Sequence, residues 1–146
     1  MITIAPLGEA DRARWDVLAR GYKTFYQTVL SDAQYEETWQ RLLAGRDLFG
    51  LGAHRQGQLV GIAHYMFHPS AWSVDQCYLQ DLFVDEAVRG QGVARALIEA
   101  VAQAARQHHA PRLYWLTHEQ NHTARTLYDK VAKYKGFIRY DYALEA

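Results

Sequence analysis

A five-residue stretch, H-E-Q-N-H at positions 118–122, has the residue types and the spacing of a zinc site. On a helix, histidines four residues apart share one face, so two imidazoles can bind one metal while the glutamate serves as a base. This stretch, however, follows a predicted strand at 112–117, and the next helix is expected to begin near Asn121. His118 then precedes the helix and no obvious third ligand follows, so we expect no metal site.

A second candidate is the segment V-D-E-A-V-R-G-Q-G-V-A at positions 84–94, which joins a predicted strand to a long predicted helix. The start of a helix presents unpaired backbone N–H groups and a partial positive charge, and both attract anions. Gly90 and Gly92 have no Cβ, so a phosphate can approach the backbone closely, and Arg89 could add charged hydrogen bonds. The segment matches neither the P-loop pattern nor the dinucleotide fingerprint. It predicts a pyrophosphate-binding loop, and a plain strand-to-helix turn is the alternative.

Hydrophobic periodicity predicts the elements that position these residues. Strands are expected at 1–5, 48–54, 59–67, 77–84, 112–117 and 137–144, and helices at 11–20, 31–43, 93–107 and 121–131. Gly57 suits a tight hairpin turn, Ser31 and Gln34 form a capping box, and an aromatic segment at 21–30 separates the first two helices. The order after Val84 is β-loop-α-β-α-β. The expected fold class is therefore α/β, with a mixed central β-sheet flanked by about four helices.

The composition indicates one domain spanning residues 1–146, because 146 residues with 49% hydrophobic content are enough for one core. The 16 basic and 16 acidic residues balance, so we expect neither nucleic acid nor an anionic membrane as a partner. The single cysteine, Cys77, excludes an internal disulfide, and we expect a buried thiol rather than a nucleophile. With no signal-peptide pattern and no long apolar run, we expect a soluble cytoplasmic protein.

The loop motif R-G-Q-G-V-A at positions 89–94 matches the Q/R-x-x-G-x-G/A signature of the GNAT N-acetyltransferase superfamily. The preceding Y-L-Q-D-L-F-V resembles the family's central strand, and N-H-T-A-R-T-L-Y at 121–128 resembles its N-x-x-A-x-x-L-Y helix. The matching motifs span about residues 79–137, and the chain is similar to the branch that acetylates polyamines, amino acids or histone tails. The resemblance implies a single-domain GNAT-like fold. It also implies direct transfer of an acetyl group from acetyl-CoA to a primary amine of a small molecule or peptide.

The resemblance further implies which residues contact acetyl-CoA. The loop would bind the pyrophosphate, and the strand backbone would pair with the pantetheine arm and supply N–H groups to the developing oxyanion. The implied cofactor-binding residues are Leu82, Phe83, Val84, Arg89, Gly90, Gln91, Gly92, Val93, Ala94, Asn121 and Tyr128. Asn121 can also cap the helix that carries Tyr128. Tyr128 is the family-matched general acid for the departing thiolate, because a phenol with a pKa near 10 stays protonated at neutral pH.

The general base is left open by the sequence. An alkyl ammonium with a pKa of about 10.4 must lose a proton before it can attack. Related polyamine enzymes carry a carboxylate where this chain has Gln80, which cannot accept a proton. Asp81 is the remaining carboxylate on this strand, as a base or as a structural or acceptor-binding group, and regular alternation would place it on one face with Leu79 and Phe83. Looser candidates that could act through water are Glu119, His64 and His118.

Aromatic and acidic side chains are candidates for holding the acceptor, although ordinary packing is the alternative for each. The residues expected to contact the acceptor are Tyr26, His64, Trp72 and Asp81. Carboxylates that a polycation would want, but that the sequence does not place, are Asp32, Glu36, Glu37 and Asp75. Members of the superfamily often form dimers, so a homodimer is left open. The alternative to an enzyme is a non-catalytic CoA-binding sensor or complex subunit.

Overall fold

The periodic segments form a mixed α/β architecture in the computed structural model, which describes residues 1–145. The strands are β1 (Ile2–Pro6), β2 (Phe49–Arg55), β3 (Gln58–His68), β4 (Gln76–Val84) and β5 (Leu113–Tyr114). The helices are α1 (Arg12–Phe25), α2 (Asp32–Ala44), α3 (Val93–Gln107) and α4 (His122–Val131). Within the described residues, no helix is both long and apolar enough to cross a membrane.

The described residues divide into two units. The first, Met1–Leu116, contains the whole sheet with α1, α2 and α3. The second begins at Thr117 and contains α4, followed by the irregular C-terminal segment. The predicted fold class, a mixed sheet with four helices, is confirmed.

The sheet of the first unit has the order β1-β2-β3-β4-β5. Neighbours are antiparallel from β1 to β4, and β5 adds parallel to β4. The predicted hairpin between β2 and β3 is confirmed, because Gln56 and Gly57 both take positive φ angles, 52° and 77°. A two-residue loop of that form matches the twist of the paired strands.

Helices cover both faces of the sheet. Ile62 of β3 lies in a buried cluster with residues of α1 and α2, among them Trp15 and Trp39. The adjacent residue, Gly61, must point to the opposite face, where a Cβ would lie 2.9 Å from Cγ1 of Val93 in α3. The lack of a side chain at Gly61 therefore lets the start of α3 sit directly on β3.

A β-bulge interrupts β4 at Gln80. His64 pairs with Asp81 and Tyr65 pairs with Leu79, so Gln80 has no residue opposite it. Residues directly opposite share a face, and His64 and Tyr65 face opposite ways, so Leu79 and Asp81 do too. The prediction that Leu79, Asp81 and Phe83 share a face was wrong for Leu79 alone: Asp81 and Phe83, opposite His64 and Ile62, share one face, and the extra residue turns Leu79 to the other.

Three elements differ from the predictions by more than one residue at an end. Helix α1 continues to Phe25 through half of the aromatic segment, because this turn packs Tyr22 against Phe83, with ring centroids 6.0 Å apart. The predicted strand 112–117 contributes only Leu113–Tyr114. The predicted strand 137–144 does not form within the described residues, since that stretch has no partner strand there.

Candidate active site

The glycine-rich loop and the start of α3 form a concave backbone surface. Gly90 and Gly92 take φ angles of +80° and +85°, and no atom lies within 4 Å of where a Cβ would be. Gly92 is the N-cap of α3, has no side chain to cap the helix, and no acidic residue occupies the first turn. The helix ladder begins with the Ala96 N–H donating to the Gly92 carbonyl oxygen at 3.0 Å, so the preceding N–H groups remain for a ligand. This geometry leaves room for a phosphate at the backbone, and the pyrophosphate-binding role of the loop stays a prediction.

Contacts with β4 hold the loop in place. The Arg89 Nε donates to the Val84 carbonyl oxygen at 3.4 Å, and its guanidinium lies 5.6 Å from the ring centroid of Phe83. Asp85 accepts hydrogen bonds from the Ala87 N–H at 3.0 Å and from Arg14 at 2.9 Å. Arg89 therefore stays beside the glycines as a positive charge.

The remaining predicted loop residues divide into backbone and side-chain contributors. Gln91 is exposed and its side chain is free to reach a ligand. Val93 is buried with its side chain in the core against Gly61, so it can offer a ligand only its backbone N–H. Ala94, in the first turn of α3, likewise offers a backbone N–H and little else.

The outer edge of β4 carries backbone groups that face away from β3. Among the described residues, β5 pairs with β4 only at Cys77 and Tyr78, so the edge beyond Tyr78 is open. The Asp85 N–H donates to the Val60 carbonyl oxygen at 2.8 Å, and hydrogen-bonded positions alternate along an antiparallel ladder. Leu82 and Val84 therefore direct their N–H and C=O groups to the open edge, whereas the backbone of Phe83 pairs with β3.

Asp81 ends a buried chain of hydrogen bonds. The indole N–H of Trp15 donates to His64 Nε2 at 3.0 Å, and His64 Nδ1 lies 2.9 Å from Asp81 Oδ2. His64 is 5% exposed, and its place directly opposite Asp81 on β3 brings the imidazole and the carboxylate together. His64 was expected to contact the acceptor. The structure instead places it in the core, with both ring nitrogens occupied.

Two side chains of α1 complete the surroundings of Asp81. Burial raises the pKa of the Asp81 carboxyl, but the hydrogen bond and electrostatic interaction with His64, followed by the charge of Lys23 and the Tyr22 hydroxyl, outweigh it, so the pKa lies below its ordinary value. Burial, followed by the Asp81 charge, raises the pKa of Tyr22, which therefore remains a neutral phenol. Asp81 is thus ionised at neutral pH, and its side chain is 17% exposed.

Of the other residues predicted to contact the acceptor, one lies near Asp81 and one does not. Tyr26 packs on Tyr22, with ring centroids 4.9 Å apart, and so joins the group around Asp81. Trp72 lies in the loop between β3 and β4 and is 96% exposed, outside the contacts that surround Asp81. Cys77 is fully buried, and burial raises the pKa of its thiol to about 11, so it cannot act as a thiolate nucleophile.

In the second unit, the turn at 118–121 precedes α4. The helix begins at His122 with Asn121 at the N-cap position, as predicted, so His118 and His122 do not share a helical face. The Asn121 side chain donates to Thr117 Oγ1 at 3.2 Å and makes no capping hydrogen bond, so the predicted side-chain cap was wrong. Tyr128 lies in the second turn of α4 and is half-buried. No group of three or more potential metal ligands occurs among residues 1–145.

Residues 15–134 match the model of the acetyltransferase (GNAT) family. The chain belongs to the GNAT family. As a GNAT enzyme it is an acetyl-CoA-dependent N-acetyltransferase, which agrees with the unpaired N–H groups at the start of α3 and the open edge of β4.

Known GNAT proteins resemble this one over most of their length. The chain is 35% identical to D-amino-acid N-acetyltransferase HPA3 of Saccharomyces cerevisiae over 135 residues, which cover 90% of this chain and 84% of that protein. It is 27% identical to thialysine N-epsilon-acetyltransferase of Bos taurus, over 80% of this chain and 68% of that protein. The structure of AAC(6')-Iy in complex with a bisubstrate analogue superimposes with a TM-score of 0.88 and 17% identity, over 100% of this chain and 99% of the other.

Sequence reasoning did not single out Trp15 or Lys23 as parts of the GNAT site. Neither residue belongs to a motif, and each lies on α1, far along the chain from Asp81. Tyr22 was visible only as a member of an aromatic run. These three residues of α1 come near Asp81 because β3 pairs with β4 and α1 packs on both strands. This arrangement is visible only in the folded chain.

Proposed function

We propose that this GNAT enzyme acetylates the amino group of a small amino acid. The observation that carries the proposal is that opposite charges, Lys23 and Asp81, lie beside the same tyrosine: Lys23 Nζ is 5.5 Å from the ring centroid of Tyr22, and the Tyr22 hydroxyl is hydrogen-bonded to Asp81. A free amino acid carries one ammonium and one carboxylate, and the two side chains complement these charges. Tyr22 and Tyr26 add aromatic surface for the rest of the acceptor.

The neighbouring carboxylates argue against a polyamine. Asp32 pairs with Arg20 at 2.8 Å, and Glu36 pairs with Arg12. These ion pairs neutralise two of the three carboxylates of α2, Asp32, Glu36 and Glu37, and so leave less negative charge there for a second or third ammonium. A single ammonium bound at Asp81 is the better match.

The relatives support the same acceptor class. HPA3 is by name an acetyltransferase of D-amino acids, and the bovine enzyme acts on the amine of thialysine, an amino-acid analogue. The former has the higher identity of the two, so we propose the D-series as the preferred acceptors.

The chemistry can be assigned to residues of this chain. Acetyl-CoA supplies an acetyl thioester. The loop at Arg89, Gly90 and Gly92 binds the pyrophosphate, and the outward N–H groups of Leu82 and Val84 pair with the pantetheine arm and donate to the oxyanion. Tyr128 donates a proton to the leaving thiolate.

Asp81 binds the acceptor ammonium and orients it. With its lowered pKa, the carboxylate is too weak a base to keep the proton, so the proton passes to solvent before the neutral amine attacks. Because the Cys77 thiol is buried and protonated, transfer is direct from the thioester to the amine.

The test is release of free CoA with a panel of acceptors. D- and L-amino acids, their methyl esters, polyamines and basic peptides are compared at equal concentration. We expect turnover of amino acids, with a higher KM for the methyl esters, which lack the carboxylate. Lys23→Gln should erase that difference, whereas Arg106→Gln, an exposed charge change at the far end of α3, should preserve it. Amine-dependent release that favours polyamines over amino acids would reject the amino-acid assignment.

We further propose that a second copy of the chain covers the C-terminal segment. Ile138, Tyr140, Tyr142 and Leu144 alternate along this segment and are each between 71% and 92% exposed. Apolar surface of this extent is unfavourable in water and typical of an interface. Sedimentation at micromolar concentration should show a dimer, and Tyr140→Lys should weaken it; a monomeric wild type contradicts the idea.

Two broader assignments belong to the same proposal. We propose that residues 1–146 act as one acetyltransferase domain, because the family match includes residues of both units. We place the activity in the cytoplasm, where a free thiol such as Cys77 stays reduced.

A further inference from the structure

The hydrogen bonds around His64 determine where its proton lies. An indole nitrogen can only donate, so His64 Nε2, at 3.0 Å from Trp15 Nε1, must accept. The ring proton is then on Nδ1, and it is donated to Asp81 Oδ2 at 2.9 Å. Adding a second proton at Nε2 would place two donors against each other. The geometry therefore holds His64 as a neutral imidazole in one tautomer.

This tautomer has two effects on Asp81. The carboxylate receives a directed hydrogen bond at Oδ2 but no positive charge from the ring, so its own negative charge remains for the acceptor. The two donations run in the same direction, from Trp15 to His64 and from His64 to Asp81, and hydrogen bonds in such a series strengthen one another.

The position of Asp81 on the sheet explains why its side chain needs the hydrogen bond from His64. Asp81 is the first residue after the bulge at Gln80, where the ladder between β3 and β4 is interrupted. A carboxylate beside a bulge needs a partner to fix its rotamer, and His64 is the residue directly opposite. Trp15, 1% exposed, is in turn fixed by its packing against Trp39, with ring centroids 5.0 Å apart.

We propose that His64 is a positioning residue for the acceptor amine, and that Trp15 selects the tautomer in which His64 can do so. The proposal rests on the proposed function, in which Asp81 binds the acceptor ammonium. His64 itself, buried and with both nitrogens occupied, does not touch the acceptor. It sets the plane and direction of the carboxylate that does.

The experiment combines a spectroscopic and a kinetic measurement on the full chain. In protein labelled with ¹⁵N histidine, the His64 nitrogens should appear as a protonated Nδ1 and an unprotonated Nε2. Trp15→Phe, which removes only the donor and part of the ring, should broaden or reverse that assignment. It should also lower kcat/KM for the acceptor about tenfold, while the affinity for acetyl-CoA stays within twofold of wild type.

Trp39→Phe is the matched control, because it makes the same truncation in the neighbouring ring while the nitrogens of His64 are bonded to Trp15 and Asp81. It should lower thermal stability, but because a phenyl ring still packs against Trp15 it should keep the tautomer and lower the acceptor kcat/KM less than Trp15→Phe does. His64→Asn keeps an N–H near the former Nδ1, so it should retain more acceptor kcat/KM than His64→Leu. This pair supplies the test should Trp15→Phe fail to fold.

The contrary outcomes are distinct. A protonated Nε2, a cationic His64, or an acceptor kcat/KM unchanged in both Trp15→Phe and His64→Leu overturns the positioning role, although turnover by the wild type still supports the proposed function. Unchanged acceptor kinetics in Asp81→Asn overturn it as well, since there is then nothing for His64 to position. If the wild type acetylates no amine on the panel, the proposed function is rejected, and so is the positioning role of His64, which depends on it.

Discussion

Adding one methyl group to Gly61 tests whether the position of α3 on the sheet sets the pyrophosphate site. In Gly61→Ala, the new Cβ would lie 2.9 Å from Val93 Cγ1 and 3.1 Å from Leu97 Cδ1. Ordinary carbon contacts are about 3.5–4.0 Å, so the start of α3 must retreat by about 0.5–1 Å. Overpacking of this kind costs about 1–3 kcal/mol, which lowers Tm by roughly 3–10 °C in a chain of this size.

The same displacement should weaken acetyl-CoA binding. The N–H groups at Val93 and Ala94 would move with the helix, and a hydrogen bond of about 2.9 Å would stretch beyond useful length. Partial loss of charged hydrogen bonds of this kind amounts to about 1.4 kcal/mol, a tenfold weaker Kd by titration calorimetry.

Gly52→Ala is the control for this prediction. Its Cβ would lie 2.6 Å from Leu59 Cδ1 and 3.0 Å from Leu7 Cδ2, side chains of the opposite face. This variant should lose stability, as Gly61→Ala does, yet bind acetyl-CoA normally. Should both variants bind acetyl-CoA as tightly as the wild type, the idea that packing at Gly61 positions the phosphate site is refuted.

Four further predictions concern single groups. Tyr128→Phe should lower kcat at least a hundredfold with an unchanged Kd for acetyl-CoA, as expected for a general acid; equal turnover in the two proteins would remove Tyr128 from the chemistry. Because its surroundings lower the pKa of Asp81, the acid limb of the kcat/KM profile should follow the pKa of each acceptor amine, and a limb fixed across acceptors contradicts this. The lowered pKa also predicts how stability depends on pH. The stabilisation from ionised Asp81 is fully present above the unfolded pKa, near 3.9, and is lost as the pH falls through the lower folded pKa. The difference in unfolding free energy between the wild type and Asp81→Asn should therefore change only below about pH 4. The Cys77 thiol, with its pKa raised to about 11, should resist iodoacetamide at pH 8 until the protein is unfolded, and rapid labelling of the folded protein would show that the site opens.

Features determined by neighbouring residues could be predicted from the sequence. The capping box is present as expected, with the Gln34 N–H donating to Ser31 Oγ at 3.2 Å and the Ser31 N–H donating to Gln34 Oε1 at 2.8 Å. The bounds of α3 agree at both ends with the predicted 93–107, because Gly92 marks its start and the apolar period continues without interruption. The conformation of the glycine-rich loop belongs to this group, since glycine and a helix start carry their properties locally.

Features that depend on residues far away in the chain could not be predicted from the sequence. The pattern of residues 137–144 is that of a strand, but a strand requires a neighbour, and the pattern does not supply one. The partners of His64 lie 49 residues before it, at Trp15, and 17 residues after it, at Asp81. Without these partners, a histidine in a strand is only one of several residues that could contact the acceptor. The tautomer, and with it the distinction between binding the acceptor and positioning Asp81, follows only from those two contacts.

The bulge at Gln80 sets the register in which the rest of β4 pairs with β3. If β4 kept all its residues but paired with β3 without a bulge, every residue after Leu79 would shift by one position. Asp81 would then lie opposite Ala63 and face α3, away from His64 and Tyr22, and the outward N–H groups of Leu82 and Val84 would turn into the ladder. Deleting Gln80 would instead remove the bulge and keep the pairs Leu79–Tyr65 and Asp81–His64. The bulge therefore lets a strand that contains Gln80 still place Asp81 opposite His64.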